Sequence, residues 1–171
     1  MKTTDDQNEL FVVVDEEDNI LGYYTRHACH NNRLLLHRGV IMYIFDDEGR
    51  VLLQKRSATK DTDPGFWSMS AGGHVGKGET YEVAMDRELR EELGVELPIK
   101  FVEKFIFRHP RETEIDTLFV AKGNGPFYPS HNEVEEVKFF TKLDLNKKLQ
   151  SSGFKMTKIC RESLQKLAFL S

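Results

Sequence analysis

Cysteine is nearly absent from this chain: two occur among 171 residues, Cys29 and Cys160. They stand far apart and in no metal or redox spacing. That excludes a disulfide scaffold and predicts a reducing, cytoplasmic setting. No apolar run reaches the roughly 18 residues of a membrane span. The first nine residues, Met1 to Glu9, carry one Lys and no apolar core behind it, so no secretory signal is expected. Excess positive charge is missing too. With 24 Lys and Arg against 28 Asp and Glu, the net charge is −4, which argues against binding to nucleic-acid polymers or anionic membranes. No repeat, low-complexity tract or long linker divides the chain. What is present is 39% hydrophobic residues, 30% charged residues and 12 Phe, a composition that folds. We expect one domain over residues 1–171, able to bury about 70% of its unfolded surface without a structural staple.

The pattern predicts an α+β layered domain. Leu10 to Val14 and Ile20 to Tyr24 read as a hairpin around the polar turn Asp15 to Asn19. Thr25 to Arg33 reads as a loop or short helix. Val40 to Phe45 is an unbroken apolar run, as in a strand buried on both faces. Asp46-Asp47-Glu48-Gly49 turns it, and Val51 to Arg56 is expected to return beside it. Ser57 to Phe66 is a loop with the turn signal Asp63-Pro64-Gly65. Thr80 to Leu93 reads as a helix, because Tyr81, Met85, Leu89 and Leu93 form one apolar stripe, Gly94 suits the C′ position and Pro98 blocks continuation. Strands are expected over Phe101–Arg108, Ile115–Ala121 and Val134–Phe140. Helices should occupy about 141–169, with Met156, Ile159, Cys160, Leu164 and Leu167 facing the core.

Chemistry concentrates between Gly73 and Val95. After Gly73 come five residues and Glu79, then seven residues and Arg87-Glu88-Leu89, one residue and Glu91-Glu92, one residue and Gly94-Val95. On a helix, Glu88, Glu91 and Glu92 fall on one face. Three like charges so placed repel one another and weaken the helix. A divalent cation among them removes the repulsion, and hard oxygen ligands suit Mg²⁺ or Mn²⁺. Gly72 and Gly73 let backbone and substrate approach closely, and a free carbonyl there can serve as a further ligand. Arg87 can reach Glu79 or Glu88 and hold a carboxylate in place. A solvated acidic face explains the Glu triplet alone. The complete pattern, seven identities and two aliphatic positions, arises by chance on the order of 10⁻⁸ times in a chain of this length.

This pattern is the Nudix box, and the chain resembles the Nudix superfamily. The resemblance implies an α/β/α sandwich around a mixed β-sheet flanked by helices. It implies hydrolysis of a diphosphate linked to another moiety, such as a nucleoside-diphosphate derivative or similar small molecule. It implies Mg²⁺ (or Mn²⁺) held by Glu88, Glu91, Glu92 and the Gly72 carbonyl, with Arg87 supporting them. The base that activates water is then Glu88 or, from a later loop, Glu133. Lys55 and Arg56 are candidates to contact a substrate phosphate, with a solvated strand end as the alternative. A homodimer is one assembly the resemblance offers.

Around the box, Leu36-His37-Arg38-Gly39-Val40, Leu53-Gln54-Lys55-Arg56, Pro64-Gly65-Phe66-Trp67 and Gly73-His74-Val75 are similar to the isopentenyl-diphosphate isomerase-like branch. That resemblance implies a second metal site at His30, His37, His74, Glu114 and Asp116; the alternative is structural histidines. The chain departs from true isomerases in two ways. Gly72 stands where they place the catalytic Cys, and the box, degenerate in isomerases, is intact here. The expectation is therefore a metal-dependent diphosphate hydrolase. A delta-isomerase and a non-catalytic diphosphate-binding module are the alternatives.

Overall fold

The computed structural model describes residues 5–170. The chain opens with the predicted hairpin, β1 (Leu10–Val14) and β2 (Ile20–Thr25), followed by the one-turn helix α1 (Arg26–Cys29). Then come β3 (Leu36–Phe45), β4 (Val51–Arg56), β5 (Trp67–Ser68), β6 (Ala71–His74) and the helix α2 (Tyr81–Leu93). The strands β7 (Lys100–Arg108), β8 (Thr113–Lys122) and β9 (Val134–Phe140) precede the helices α3 (Lys142–Leu149) and α4 (Lys158–Lys166). No helix among the described residues is long and apolar enough to cross a membrane.

Strand β3 organises the sheet. It runs parallel to β8 along its whole length, from Leu36 opposite Thr113 to Phe45 opposite Lys122. On its other side it pairs antiparallel with β6, from Gly39 opposite His74 to Met42 opposite Ala71. Successive side chains on a strand point to opposite faces. Val40, Met42 and Ile44 therefore join α2 in one core, whereas Ile41 and Tyr43 join Leu145 of α3 and Leu164 of α4 in the other. Two buried faces account for the unbroken apolar run.

The return strand differs from expectation. β4 meets β3 only at Val51 opposite Phe45, and then pairs along its length with β9. Both edges of β3 are already taken by β8 and β6, so the tight turn cannot extend into a hairpin.

Helix α2 forms as its sequence dictates. The Thr80 hydroxyl accepts from the Val83 N–H at 3.3 Å, and Gly94 closes the C-terminus at φ 64°, the left-handed region that favours glycine. Met85, Leu89 and Leu93 are fully buried, each contributing roughly 1.5–3 kcal/mol of transfer free energy. Tyr81 instead donates its hydroxyl to Asp18 in the β1–β2 turn at 2.9 Å, and Asp18 also receives Arg38 at 2.7 Å. That turn is thus tied to α2 and β3.

Candidate active site

Helix α2 lies with its acidic face against β6. Glu92 is 3% exposed, and its Oε2 accepts from the Gly72 N–H and from the Gln54 amide, both at 3.0 Å. Glu88 is 8% exposed and packs over Gly73 so closely that a Cβ there would overlap its carboxylate. Glycine at 73 is therefore a requirement of close approach. Glu91, on the same face, is exposed.

Arg87 binds this group together. Its Nε donates to Glu79 at 2.8 Å, its Nη1 to Glu88 at 2.8 Å and Glu91 at 2.9 Å, and its Nη2 to the His74 carbonyl at 2.9 Å. The guanidinium holds Glu79 below the ordinary carboxylate range. For Glu88 and Glu92 burial wins: it pushes Glu88 up to about 7 and Glu92 up to about 8, with repulsion from Glu91 adding to the first and repulsion from Glu88 to the second. Buried carboxylates whose charge one arginine does not offset fit a divalent cation held by hard oxygen ligands.

That fit has a consequence for stability. A carboxyl whose folded pKa is raised binds its proton more tightly when folded. Its contribution is present below the unfolded value of roughly 4.3 and is lost as pH rises through the folded value. Without metal, the protein is therefore expected to melt at lower temperature as pH climbs from 5 to about 8. Mg²⁺ should raise the melting temperature most at the alkaline end, where the carboxylates are ionised. A Glu88→Gln/Glu92→Gln variant should lose that part of the pH slope and the response to Mg²⁺; an unchanged slope in thermal melts would contradict the assignment.

Strand β6 separates two clusters. Gly73 faces α2, while His74 faces the opposite way, towards His30 of the α1 C-terminus and His37 of β3. The Nε2 atoms of His30 and His74 lie 3.3 Å apart. His74 Nε2 reaches Glu114 Oε1 at 3.0 Å, and His37 Nε2 lies 3.6 Å from the same oxygen. His30 Nε2 lies 3.3 Å from Glu112 Oε2. Phe11 stacks on His74, with ring centroids 4.0 Å apart. Burial drives His74 well below its ordinary value, so the ring is neutral, as a metal ligand must be. His37 Nε2 and Glu112 Oε2 are buried without a hydrogen-bond partner. This donor set fits a nitrogen-preferring divalent metal better than Mg²⁺.

Both clusters open into one cavity of about 470 Å³, a size suited to a small molecule. Glu133 lines it, with Lys60 reaching its Oε2 at 3.1 Å and Asp5 at 2.6 Å.

The structure brings together Gly72, Arg87, Glu88, Glu91, Glu92 and Glu133 on one side of β6, and His30, His37, His74 and Glu114 on the other. Asp116 lines the same cavity but packs over Gly39, and its nearest charged neighbour on the strand is Glu114. The acid beside His30 is Glu112, which the sequence reading passed over. A period of two through Glu112, Glu114 and Asp116 puts all three on one face of the chain entering β8, and that was the available signal. Arg56 lines the cavity while donating to Thr62 at 3.0 Å. Lys55 turns outward to Glu135 at 2.7 Å and lies off the cavity wall. Gln54 and Lys60 had no local signal, because each meets its partner from distant sequence.

A mixed sheet between helix layers, with Arg87 bridging Glu79, Glu88 and Glu91 on α2, defines a Nudix domain. The NUDIX domain family matches over residues 35–158, and the chain belongs to the Nudix family of hydrolases. It is 35% identical over 143 residues to isopentenyl-diphosphate Delta-isomerase 2 of Photorhabdus laumondii, covering 81% of this chain and 80% of that one. It is 32% identical over 160 residues to an uncharacterized Nudix hydrolase of Pseudomonas aeruginosa, covering 93% and 91%. The crystal structure of DR0079 from Deinococcus radiodurans shares the fold, with a TM-score of 0.79 at 23% identity over 92% of this chain and 98% of that one.

Proposed function

We propose that the protein is a Mg²⁺- or Mn²⁺-dependent hydrolase that splits a diphosphate linkage in a small-molecule substrate, in a reducing, cytoplasmic setting. The observation that carries this reading is the pair of buried carboxylates Glu88 and Glu92, packed side by side against Gly72 and Gly73 with one guanidinium between them and Glu91. Glu88, Glu91, Glu92 and the Gly72 carbonyl would hold the metal. When bound, a divalent ion lowers the pKa of a coordinated water and offsets charge on the leaving phosphate. Arg87 fixes the rotamers of Glu88 and Glu91. The proton of the attacking water goes to Glu88 or to Glu133, both of which line the cavity, the first oriented by Arg87 and the second by Lys60. Water oxygen bonds to phosphorus, the bridging P–O bond breaks, and the leaving phosphate carries away the electron pair.

The His30, His37, His74, Glu112 and Glu114 cluster supports a second reading, in which the chain isomerises a five-carbon diphosphate like the relatives named isomerases. Thiol chemistry is against it. Cys29 and Cys160 are fully buried and off the cavity wall, and a side chain at Gly72 would run into the Val40 carbonyl and Met69.

The test is a panel of nucleoside-diphosphate derivatives, sugar diphosphates and isoprenoid diphosphates, scored for phosphate release and allylic product with Mg²⁺ or Mn²⁺. Metal-dependent phosphate release supports hydrolysis. An allylic product from isopentenyl diphosphate would select the isomerase. Tight binding without turnover across the panel would make the domain a diphosphate-binding module.

A further inference from the structure

Residues Asp5, Asp6, Gln7 and Asn8 lie outside every strand and helix and carry no apolar side chain, yet Asp5 and Asp6 form part of the cavity wall. The Asp5 side chain is 5% exposed. Its Oδ1 accepts from Lys60 Nζ at 2.6 Å and lies 3.5 Å from Arg26 Nη2, and its Oδ2 accepts from the Asp61 N–H at 2.9 Å. An ammonium, a guanidinium and a backbone amide converging on one pair of oxygens is how proteins hold phosphate. Here the oxygens belong to the chain itself. Their placement opposes an anionic substrate in two ways. It adds acidic residues to a wall that already holds Glu88, Glu91 and Glu92, and it occupies Arg26 and Lys60, two cations of the same wall.

We propose that residues 5–8 are an autoinhibitory strap: Asp5 stands where a phosphate group of the substrate binds, and the substrate enters by displacing it. This rests on the diphosphate reading of the cavity given above. The strap's attachments suit exchange. With no apolar side chain of its own, it is held by ion pairs and hydrogen bonds, which belongs to the low-stability end of a fold. Besides Asp5, Gln7 secures it, its Nε2 donating to Asp61 at 3.2 Å and its carbonyl accepting from the His27 N–H at 3.2 Å. Glu9 marks where the strap ends, because its carbonyl continues the pairing of β1 with β2 by accepting from the Arg26 N–H at 2.8 Å. Departure of Asp5 strands no charge. Lys60 keeps Glu133 at 3.1 Å, and Arg26 keeps both oxygens of Asp61 at 3.1 and 3.2 Å. A phosphate group, with a charge of about −2 near neutral pH and three terminal oxygens, is the stronger partner for the same donors.

The probe is methylenediphosphonate with Mg²⁺, a pyrophosphate analogue that cannot be hydrolysed, and its binding to the full chain is read by calorimetry and by amide hydrogen exchange. A site that is open only part of the time binds more weakly by that fraction, so Asp5→Ala is expected to tighten binding about 10-fold, the response to a strap closed about nine-tenths of the time. Gln7→Ala separates displacement from loss of charge. It takes no charge from the cavity but loosens the strap, and it should tighten binding as well. In the wild type, saturating analogue should speed exchange of the His27 amide, which loses the Gln7 carbonyl, while the amides of β3 stay protected. Equal or weaker binding by Asp5→Ala, no gain in Gln7→Ala, or an unchanged His27 exchange rate at saturation would overturn the strap. So would failure of all three proteins to bind the analogue. Binding with these responses, but no phosphate release from any diphosphate in the panel, would count against hydrolysis alone and leave the strap in place.

Discussion

Glu92→Gln is expected to leave the protein folded and to lower diphosphate hydrolysis by about 10³-fold, the scale of removing one group that stabilises transition-state charge. Two opposing effects decide the outcome. The carboxylate is buried and accepts from the Gly72 N–H and the Gln54 amide. A glutamine carbonyl can accept both, so the packing between α2 and β6 survives. Because burial already disfavours the charge of Glu92, its neutral isostere should if anything raise the melting temperature of the metal-free protein above neutral pH. What disappears is a negative ligand for the cation. The variant should therefore separate stability from turnover. Thermal melts, calorimetric titration with Mg²⁺ and steady-state phosphate release would check this. Full activity in Glu92→Gln would remove α2 from the chemistry.

Gly73→Ala should be nearly as damaging by a steric route. A Cβ at position 73 occupies the space of the Glu88 carboxylate. Glu88 cannot swing aside freely, since Arg87 holds it at 2.8 Å and the helix is packed on the sheet. The methyl group must displace the carboxylate, and a misplacement of about 1 Å in a catalytic group costs on the order of 10²-fold in rate. Overpacking adds roughly 1–3 kcal/mol of destabilisation. Gly39→Ala is the matched control. Its Cβ would meet Asp116 on the other face of the sheet and leave Glu88 alone. Gly73→Ala should therefore lower phosphate release about 100-fold while Gly39→Ala retains most of it per folded molecule. The reverse order in kcat, with folding checked by circular dichroism, would move the reaction to the histidine side.

The parts of this molecule that sequence reveals are those whose reasons are local. Helix α2 was legible because its stripe, its Thr80 cap and its Gly94 stop all lie within fifteen residues. The acidic face was legible because helical spacing alone puts Glu88, Glu91 and Glu92 together. Of the four acceptors of Arg87, Glu91 follows from i,i+4 spacing, whereas Glu79 precedes the helix and the His74 carbonyl comes from β6. The sequence shows the turn from β3 to β4 but not where their pairing stops, because β6, from another segment, takes Gly39 to Met42 on that edge and leaves Val51 alone opposite Phe45. Glu112 and Lys60 escaped for the same reason: the histidine beside the first and the Asp5 and Glu133 carboxylates beside the second come from other segments. Lys55 and Arg56 are neighbours in sequence yet point to different surroundings, as alternation along a strand requires.

Position along β6 also constrains how such a protein can change. Gly73 and His74 are consecutive, and each serves a different set of acids. Inserting one residue upstream in this short strand would turn the imidazole to the helix side and leave Gly73 facing the other histidines, ruining both clusters in one event. Either cluster can therefore be altered by exchange of side chains but not by slippage of the strand.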